Sequence, residues 1–139
     1  MRFRPLLVVI LLLAFNDAAA AQKAQGTAKE AAAILSPRFR QCFGKDAPLN
    51  AASYDCLDRE YHRLDAVLTT VYRAALTRQA AESSRKRLQR DEQNWWRTRF
   101  RHCRDDVGDL SGSTAAVVNE LCEIDTLAQR IVRLRHYRR

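Results

Sequence analysis

The sequence predicts an all-α fold, an antiparallel three-helix bundle with a short N-terminal helical segment, stapled by two disulfides. Apolar residues recur at intervals of three and four along most of the 139-residue chain. No stretch alternates polar and apolar residues as a half-buried strand does. Four cysteines follow a segment typical of export, and small exported domains often need disulfides because their cores are modest.

The beginning of the chain has the pattern of a signal peptide. Positive charge in the first four residues precedes an apolar run at 6–15, and alanines at 18–21 suit cleavage. The apolar run is too short to span a bilayer, so a transmembrane anchor is the less favoured alternative. We expect residues 1–21 to be removed and residues 22–139 to form one periplasmic or secreted domain, without stable membrane insertion.

A short helix and a loop are expected before the long helices. Residues 27–35 are rich in alanine, the strongest helix former, and Pro37 stops this helix. Gly44, Pro48 and Asn50 then mark a loop.

Two long helices follow, joined by a turn near residues 80–84 that has no glycine or proline. The first helix runs from Ala51 to about Gln79, and the second covers residues 82–104. The apolar face of the first helix consists of Leu57, Tyr61, Leu64, Leu68, Val71 and Ala75, with Tyr72 and Leu76 alongside. The second helix repeats Leu88, Trp95, Trp96, Phe100 and Cys103 at helical intervals.

A third long helix is predicted after a loop at residues 105–113, where glycine, aspartate and serine are frequent. Ser113 is the expected N-cap, since a serine hydroxyl accepts a hydrogen bond from a free N–H of the first turn. The apolar face of this helix consists of Val117, Val118, Leu121, Ile124, Leu127, Ile131 and Leu134.

The spacing of the cysteines favours two local disulfides. Cys42 and Cys56 lie close in sequence, as do Cys103 and Cys122, and neither pair has the C-x-x-C spacing of metal or redox sites. Sequential pairing closes short loops, the second between the second and third helices. A crossed pairing of Cys56 with Cys103 stays open as the alternative.

An ordered set of residues runs through the expected domain: Cys42, Cys56, Glu60, Leu64, Asp65, Leu68, Tyr72, Leu88, Trp95, Arg99, Cys103, Ser111, Gly112, Ser113, Cys122, Thr126, Arg130 and Leu134. In this order, residues 42–134 resemble the LprI-like lysozyme inhibitor family. The resemblance implies the helical fold, export and, more loosely, lysozyme as the protein partner. Glu92 and Phe100 depart from the family, which often has Gln and an acidic residue there, so a shared polar network is in doubt.

Several residues of this set are expected to have structural roles. They are Glu60, Asp65, Tyr72, Trp95, Arg99, Thr126 and Arg130. Glu60 and Asp65 come near the level of Arg99 in an antiparallel arrangement, which predicts an ion pair there. Trp95 and Trp96 point about 100° apart, so Trp95 is predicted in the core and Trp96 at the surface, unless both are buried.

Charge is distributed in blocks on a chain of net charge +8. Residues 105–125 carry no basic side chain and six acidic ones: Asp105, Asp106, Asp109, Glu120, Glu123 and Asp125. Helix two is markedly basic through Arg85, Lys86, Arg87, Arg90, Arg97, Arg99, Arg101 and Arg104, and the tail through Arg130, Arg133, Arg135, Arg138 and Arg139. For an exported protein this balance favours anionic envelope polymers over nucleic acid as partners.

The acidic block is the predicted contact surface for a cationic lysozyme. Charges more than about 8 Å away are screened at physiological salt, so the nearby acidic charge outweighs the positive charge of the whole molecule. We expect loop 105–113 to approach the enzyme's sugar-binding cleft. The predicted contact residues are Asp105, Asp106, Asp109, Ser111, Ser113 and Trp96. The structural alternative is that these acids complement a helix dipole and the serines form a turn and cap.

The basic block offers a second contact surface. Arg97, Arg101 and Arg104 fall on one side of a continuous helix and suit phosphate or carboxylate groups of envelope polymers, whereas a solvated helix face is the structural alternative.

No catalytic or metal motif is recognisable. Asp58, Glu60 and His62 lack a ligand spacing, and His102 and His136 are isolated. We expect no enzymatic activity, no metal and no cofactor. The leading interpretation is a periplasmic or secreted lysozyme inhibitor that binds non-covalently; the alternative is a basic envelope-binding or stress-related module with no enzyme target.

Overall fold

The computed structural model describes residues 27–43 and 51–137, and within these ranges every regular element is an α-helix. The predicted all-α class is confirmed. The helices are α1 at 27–34, α2 at Pro37–Cys42, α3 at Ala51–Thr77, α4 at Glu82–Thr98, α5 at Arg101–Val107 and α6 at Gly112–Arg135. Among these described helices none is long and apolar enough to cross a membrane. The predicted signal peptide and the loop at Gly44, Pro48 and Asn50 lie outside the described residues.

The N-terminal segment consists of two short helices. α1 ends before Pro37 as predicted, since proline disfavours a helical conformation in the residue before it. The same proline then begins α2, where its fixed φ suits the first helical position. The Ser36 hydroxyl caps α2 by accepting from the Phe39 N–H at 3.0 Å. The sequence analysis did not predict α2, because it took Pro37 only as a stop.

The core lies mainly between α3 and α6, the pair of helices with the most extensive contact. The largest fully buried side chains include Leu57, Leu64 and Leu68 from α3, Leu88 from α4, and Ile124, Leu127, Ile131 and Leu134 from α6. The Tyr54 hydroxyl donates to the Ser113 carbonyl at 3.3 Å, and Arg78 Nη2 donates to the Leu134 carbonyl at 2.8 Å. The first bond joins the starts of the two helices and the second joins their ends, so α3 and α6 run in the same direction.

The turn between α3 and α4 covers residues 78–81, close to the predicted position. Side chains replace the missing glycine or proline by satisfying free backbone carbonyls. Gln79, which is buried, donates from Nε2 to the Ala75 carbonyl at 3.2 Å, and Arg85 Nη1 donates to the Gln79 carbonyl at 3.1 Å.

The predicted single helix over residues 82–104 is wrong, because the chain leaves helical geometry at Phe100. Phe100 has φ −110° and ψ 13°, and the break separates α4 from the seven-residue α5. The Phe100 ring lies 6.3 Å from that of Tyr61 and packs against the core. The residue at the break thus places its ring against α3. The predicted row of Arg97, Arg101 and Arg104 is therefore split between two helices.

The predicted loop at residues 105–113 is shorter than expected, and Ser113 is not the N-cap. Asp105 and Asp106 belong to α5, and Ser111 takes the N-cap position of α6, although its side chain makes no capping hydrogen bond. Gly108 and Gly112 have φ of 52° and 62°, a region that favours glycine. The two glycines allow α6 to begin within five residues of the end of α5.

Both disulfides have the sequential pairing, so the crossed alternative is wrong. Cys42–Cys56 joins α2 to α3, with Cα atoms 6.4 Å apart, and Cys103–Cys122 joins α5 to α6, with Cα atoms 5.5 Å apart. A helix as short as α5 is not stable alone in water. Its position therefore depends on this disulfide and on its packing against α6.

The variant Cys103→Ser/Cys122→Ser is expected to lose about 3 kcal/mol of unfolding free energy, because the crosslink no longer restricts the unfolded chain. Urea denaturation measures this loss. Amide hydrogen exchange should accelerate in α5 far more than in α3. The control Cys42→Ser/Cys56→Ser opens a loop of similar size and should leave α5 exchange slow; equal acceleration of α5 in both variants contradicts the assignment.

Candidate functional site

An open groove of about 350 Å³ lies between α3 and the first half of α6. We call it the acidic groove; its lining residues are Asp58, Tyr61, His62, Ala116, Asn119, Glu120 and Glu123. Asp58 and His62 are one helical turn apart on α3, as are Glu120 and Glu123 on α6. The packing of α3 beside α6 brings the carboxylates of both helices to one groove.

The carboxylates of the acidic groove have no strongly basic neighbour. Among the described residues, no lysine or arginine lies within 4 Å of the carboxylate of Asp58, Glu120 or Glu123. His62 Nε2 lies 3.3 Å from Asp58 Oδ1, and Asn119 Nδ2 donates to Glu123 Oε1 at 2.8 Å. The groove thus concentrates negative charge that the fold itself does not neutralise.

Glu120 shows the electrostatic consequence most clearly. Burial raises the pKa of Glu120, and the charges of Asp58 and Glu123 raise it further. A raised pKa means that the folded protein disfavours the charged form of this side chain. A cation placed in the groove would favour the charged form of Glu120 instead.

The predicted contact residues of the α5–α6 segment are all exposed: Asp105, Asp106, Asp109, Ser111 and Ser113. Asp106 Oδ2 lies 3.6 Å from Cys122 Sγ, so the disulfide holds this carboxylate beside α6. None of these side chains lines the acidic groove, which instead takes Glu120 and Glu123 from the acidic block. Asp125 is exposed on α6 and accepts from Gln129 Nε2 at 2.6 Å.

The two tryptophans differ in exposure. Trp96 is 37% exposed, whereas Trp95 is half-buried and packs against the core, so the alternative that both are buried is wrong. The Arg99 guanidinium lies 3.6 Å from the centroid of the Trp96 ring, and Arg99 Nη1 donates to the Trp96 carbonyl at 2.9 Å. Part of the Trp96 ring is thus covered by the chain itself.

The predicted ion pair of Glu60 or Asp65 with Arg99 is wrong. The Arg99 side chain instead folds back over the rings of Trp96 and Phe100, at the point where the chain leaves the helix. Asp65 is half-buried and has no ion pair with any described residue.

Glu60 instead fastens the N-terminal helices to α3. Its carboxylate accepts from Arg63 Nε and Nη2 at 3.0 and 2.6 Å and from the Ser36 N–H at 2.9 Å. Burial raises the pKa of Glu60, but these hydrogen bonds outweigh it and lower the pKa overall. No sequence pattern indicates the contact with Ser36, because it depends on how the N-terminal segment docks.

Arg130 forms a buried ion pair between α6 and α4. Its Nη2 lies 2.6 Å from Glu92 Oε2 and 2.8 Å from Asp91 Oδ2, and its guanidinium lies 5.3 Å from the centroid of the Trp95 ring. Burial and then the charge of Glu92 raise the pKa of Tyr72, which packs nearby. Glu92, a departure from the resembled family, is thus central to a polar network of this chain.

One group of side chains has the composition of a metal site but not its chemistry. His102, Cys103 and Cys122 bring potential ligand atoms within 4.8 Å of one another, but the two sulfurs are bonded to each other and supply no thiolate. His102 Nε2 lies 3.1 Å from Thr126 Oγ1, where the threonine is buried. These groups therefore stabilise the contact of α5 with α6.

Sequence reasoning placed only Glu120 and Glu123 of the groove in a contact surface and missed the other lining residues: Asp58, Tyr61, His62, Ala116 and Asn119. The spacing of Asp58 and His62 places them on one face of α3, and the spacing of Glu120 and Glu123 does the same on α6. Neither pattern reveals that the two faces adjoin, because this depends on the register of α3 against α6.

These features define a class: small all-helical proteins, stapled by disulfides, that expose charged surfaces on a rigid core. Residues 42–134 match the family described as Lysozyme inhibitor LprI, and the chain belongs to that family. The matched residues include both disulfides and the whole acidic groove. No curated protein and no solved structure matches the chain.

Replacing Glu120 by Gln is expected to stabilise the protein at pH 7 by on the order of 0.5 kcal/mol, because it removes a partly buried charge and relieves its repulsion by Asp58 and Glu123. The pKa of Glu120 is raised on folding, so its charge begins to oppose folding as the pH rises through the pKa of the unfolded state, and the cost is complete above the raised pKa of the folded state. The gain should disappear below about pH 4, where the carboxyl is protonated in both states. Thermal denaturation across this pH range measures it.

The control is Glu82→Gln, which removes an exposed carboxylate that pairs with Arg85 and Lys86. This variant should show no gain at pH 7. A gain from Glu120→Gln that persists unchanged at low pH contradicts the electrostatic explanation.

Proposed function

We propose that the protein is a lysozyme inhibitor that binds the enzyme non-covalently and blocks its access to peptidoglycan. Membership of the Lysozyme inhibitor LprI family supports the activity. The observation that supports the contact surface is the acidic groove, where Asp58, Glu120 and Glu123 converge without an arginine or lysine among the described residues.

The proposed attraction is local, not a property of the whole molecule. The chain carries a net charge of +8 and repels a cationic lysozyme at long range. Beyond about 8 Å at physiological salt that repulsion is screened, and the nearest surface decides the interaction. A basic side chain of the enzyme in the acidic groove relieves the repulsion among its carboxylates, and such cross-interface pairs contribute from about 1.5 kcal/mol upward.

The exposed carboxylates of α5 extend the proposed surface. Asp105, Asp106 and Asp109 supply further negative charge, and Ser111 and Ser113 supply hydroxyls toward the enzyme's sugar-binding cleft. Trp96 is a proposed contact at the α4–α5 break, through the part of its ring that Arg99 leaves exposed.

Rigidity is the second requirement of this proposal. We propose that α4 packs antiparallel to α3 and α6 in a three-helix bundle, and that this packing, with α5 crosslinked to α6, fixes the surface before the enzyme arrives. A preorganised surface loses less conformational entropy on binding. The proposed activity needs no reactive group, so we propose no enzymatic function.

An oxidising location fits this proposal. Both pairs of cysteines are disulfide-linked, as is typical of periplasmic or secreted proteins. We propose that residues 1–21 act as the signal peptide and that the remaining chain meets lysozyme in the periplasm or outside the cell.

The triple variant Asp58→Asn/Glu120→Gln/Glu123→Gln is expected to weaken inhibition of cell-wall lysis at least tenfold, which corresponds to about 1.4 kcal/mol of binding free energy. Loss of the groove charge removes the attraction for a basic side chain, while the fold gains stability. A lysis assay with a cationic lysozyme and the oxidised protein measures inhibition, and circular dichroism checks the fold.

The matched control is Asp55→Asn/Asp65→Asn/Glu82→Gln, which removes the same charge outside the groove. It should inhibit like the original chain. A third variant, Asp105→Asn/Asp106→Asn/Asp109→Asn, measures how much the carboxylates in and just after α5 contribute to inhibition. Equal inhibition by all three variants contradicts the proposed surface, and absence of inhibition by the original chain at micromolar concentration contradicts the proposed function.

A further inference from the structure

The carboxylates of α4 are all engaged by basic side chains. Arg130 of α6 binds Asp91 and Glu92 in the middle of the helix. At the start of the helix, Glu82 pairs with Arg85 at 3.0 Å and lies 3.8 Å from Lys86. Acidic and basic residues are interspersed along the sequence of α4, but in the structure its acids pair with Arg85 and Arg130, while other basic side chains of α4 face solvent.

The outward side of α4 therefore carries cations that are mostly without a paired carboxylate among the described residues. Lys86, Arg90 and Arg97 lie on the face opposite Leu88, which is fully buried, and Arg87 flanks this row. All four are exposed. Among the described residues, Arg87, Arg90 and Arg97 have no ion pair, and Lys86 has only its long contact with Glu82. We call these four residues the basic strip.

The dimensions of the basic strip suit an extended ligand. From Lys86 to Arg97 the helix rises about 16 Å, at 1.5 Å per residue. Gln93 lies within the row and is polar, so no acidic side chain interrupts it. Guanidinium groups bind carboxylates and phosphates with two parallel hydrogen bonds, and three of the four cations are arginines.

The chemistry of this face favours a polymer over a membrane surface. Helices that lie on membranes bury an apolar face in the lipid, but the face of α4 that bears the strip has no apolar side chain. The apolar residues Leu88 and Trp95 of α4 pack toward the core instead.

We propose that the basic strip binds a linear polyanion with carboxylate or phosphodiester groups repeated along its chain, as in anionic cell-wall polymers. The strip points away from the core that α4 shares with α3 and α6, whereas the acidic groove lies between α3 and α6. A bound polymer leaves the groove open. The protein can thus be retained on an anionic polymer while the groove stays available to a cationic partner.

The test uses end-labelled inorganic polyphosphate and alginate as probes, with fluorescence anisotropy of the oxidised full chain as the measurement. The variant Lys86→Gln/Arg87→Gln/Arg90→Gln/Arg97→Gln is expected to lose at least tenfold in affinity. The slope of log affinity against log salt should flatten by about 3 units, since each released contact accounts for roughly 0.7 in single-stranded polyanions.

The matched control is Arg38→Gln/Arg59→Gln/Arg73→Gln/Arg135→Gln, which removes the same charge from other helices. It should keep most of the affinity. Binding of polyphosphate alone supports a phosphate-bearing ligand, and binding of alginate alone a carboxylate-bearing one. Equal loss in both variants, failure to bind both probes, or tighter binding to anionic lipid vesicles overturns the proposal.

Lysozyme inhibition separates this proposal from the proposed function. The basic-strip variant should inhibit lysozyme as well as the original chain, because none of its four residues lines the acidic groove. Loss of inhibition together with loss of polymer binding contradicts the independence of the two surfaces.

Discussion

The ion pair of Arg130 with Glu92 and Asp91 governs how α4 lies on α6 and which charges α4 exposes. Arg130 and Glu92 are both buried, so each needs the other to offset the loss of hydration. Removing one partner of such a pair leaves an uncompensated buried charge, whereas replacing both with apolar side chains can be tolerated. The Trp95 ring beside the guanidinium adds a cation–π contact to the same junction.

This junction separates charge across the molecule. Because Arg130 pairs with the buried Glu92 and the exposed Asp91, neither carboxylate is left to offset the arginines on the outer face of α4. Nearer the start of α6, Glu120 and Glu123 meet Asp58 of α3 in the acidic groove, and no arginine or lysine among the described residues offsets them. A chain of high net positive charge thereby presents both an acidic groove and a basic strip. Lysozyme is the proposed partner of the acidic groove because of family membership, and a linear polyanion is the proposed ligand of the basic strip.

The sequence predicted those features that depend on local pattern. Helical periodicity located α3 and α6 closely, and cysteine spacing identified both disulfides. The break at Phe100 was missed, because no glycine or proline marks it in the sequence; the Phe100 ring instead packs near Tyr61 of α3. The predicted ion pair of Arg99 was wrong for the same reason, since the direction of its side chain depends on that break.

The acidic groove was predictable only in part for a similar reason. Glu120 and Glu123 belong to the acidic block that the sequence shows, but their meeting with Asp58 depends on the register between α3 and α6. The same limit applies to Glu60, whose partner Ser36 comes from the docked N-terminal segment. Charges that are distant along the chain became neighbours through packing alone.

Hydrogen exchange of the oxidised protein, free and bound to a cationic lysozyme, tests the central claim most directly. The account predicts slower exchange in α5, in the first half of α6 and in the α3 residues beside the acidic groove, with α4 unchanged between Lys86 and Gln93. Slowing confined to α4, or to the end of α6 near Arg135, would contradict the assignment of the acidic groove as the surface that binds lysozyme.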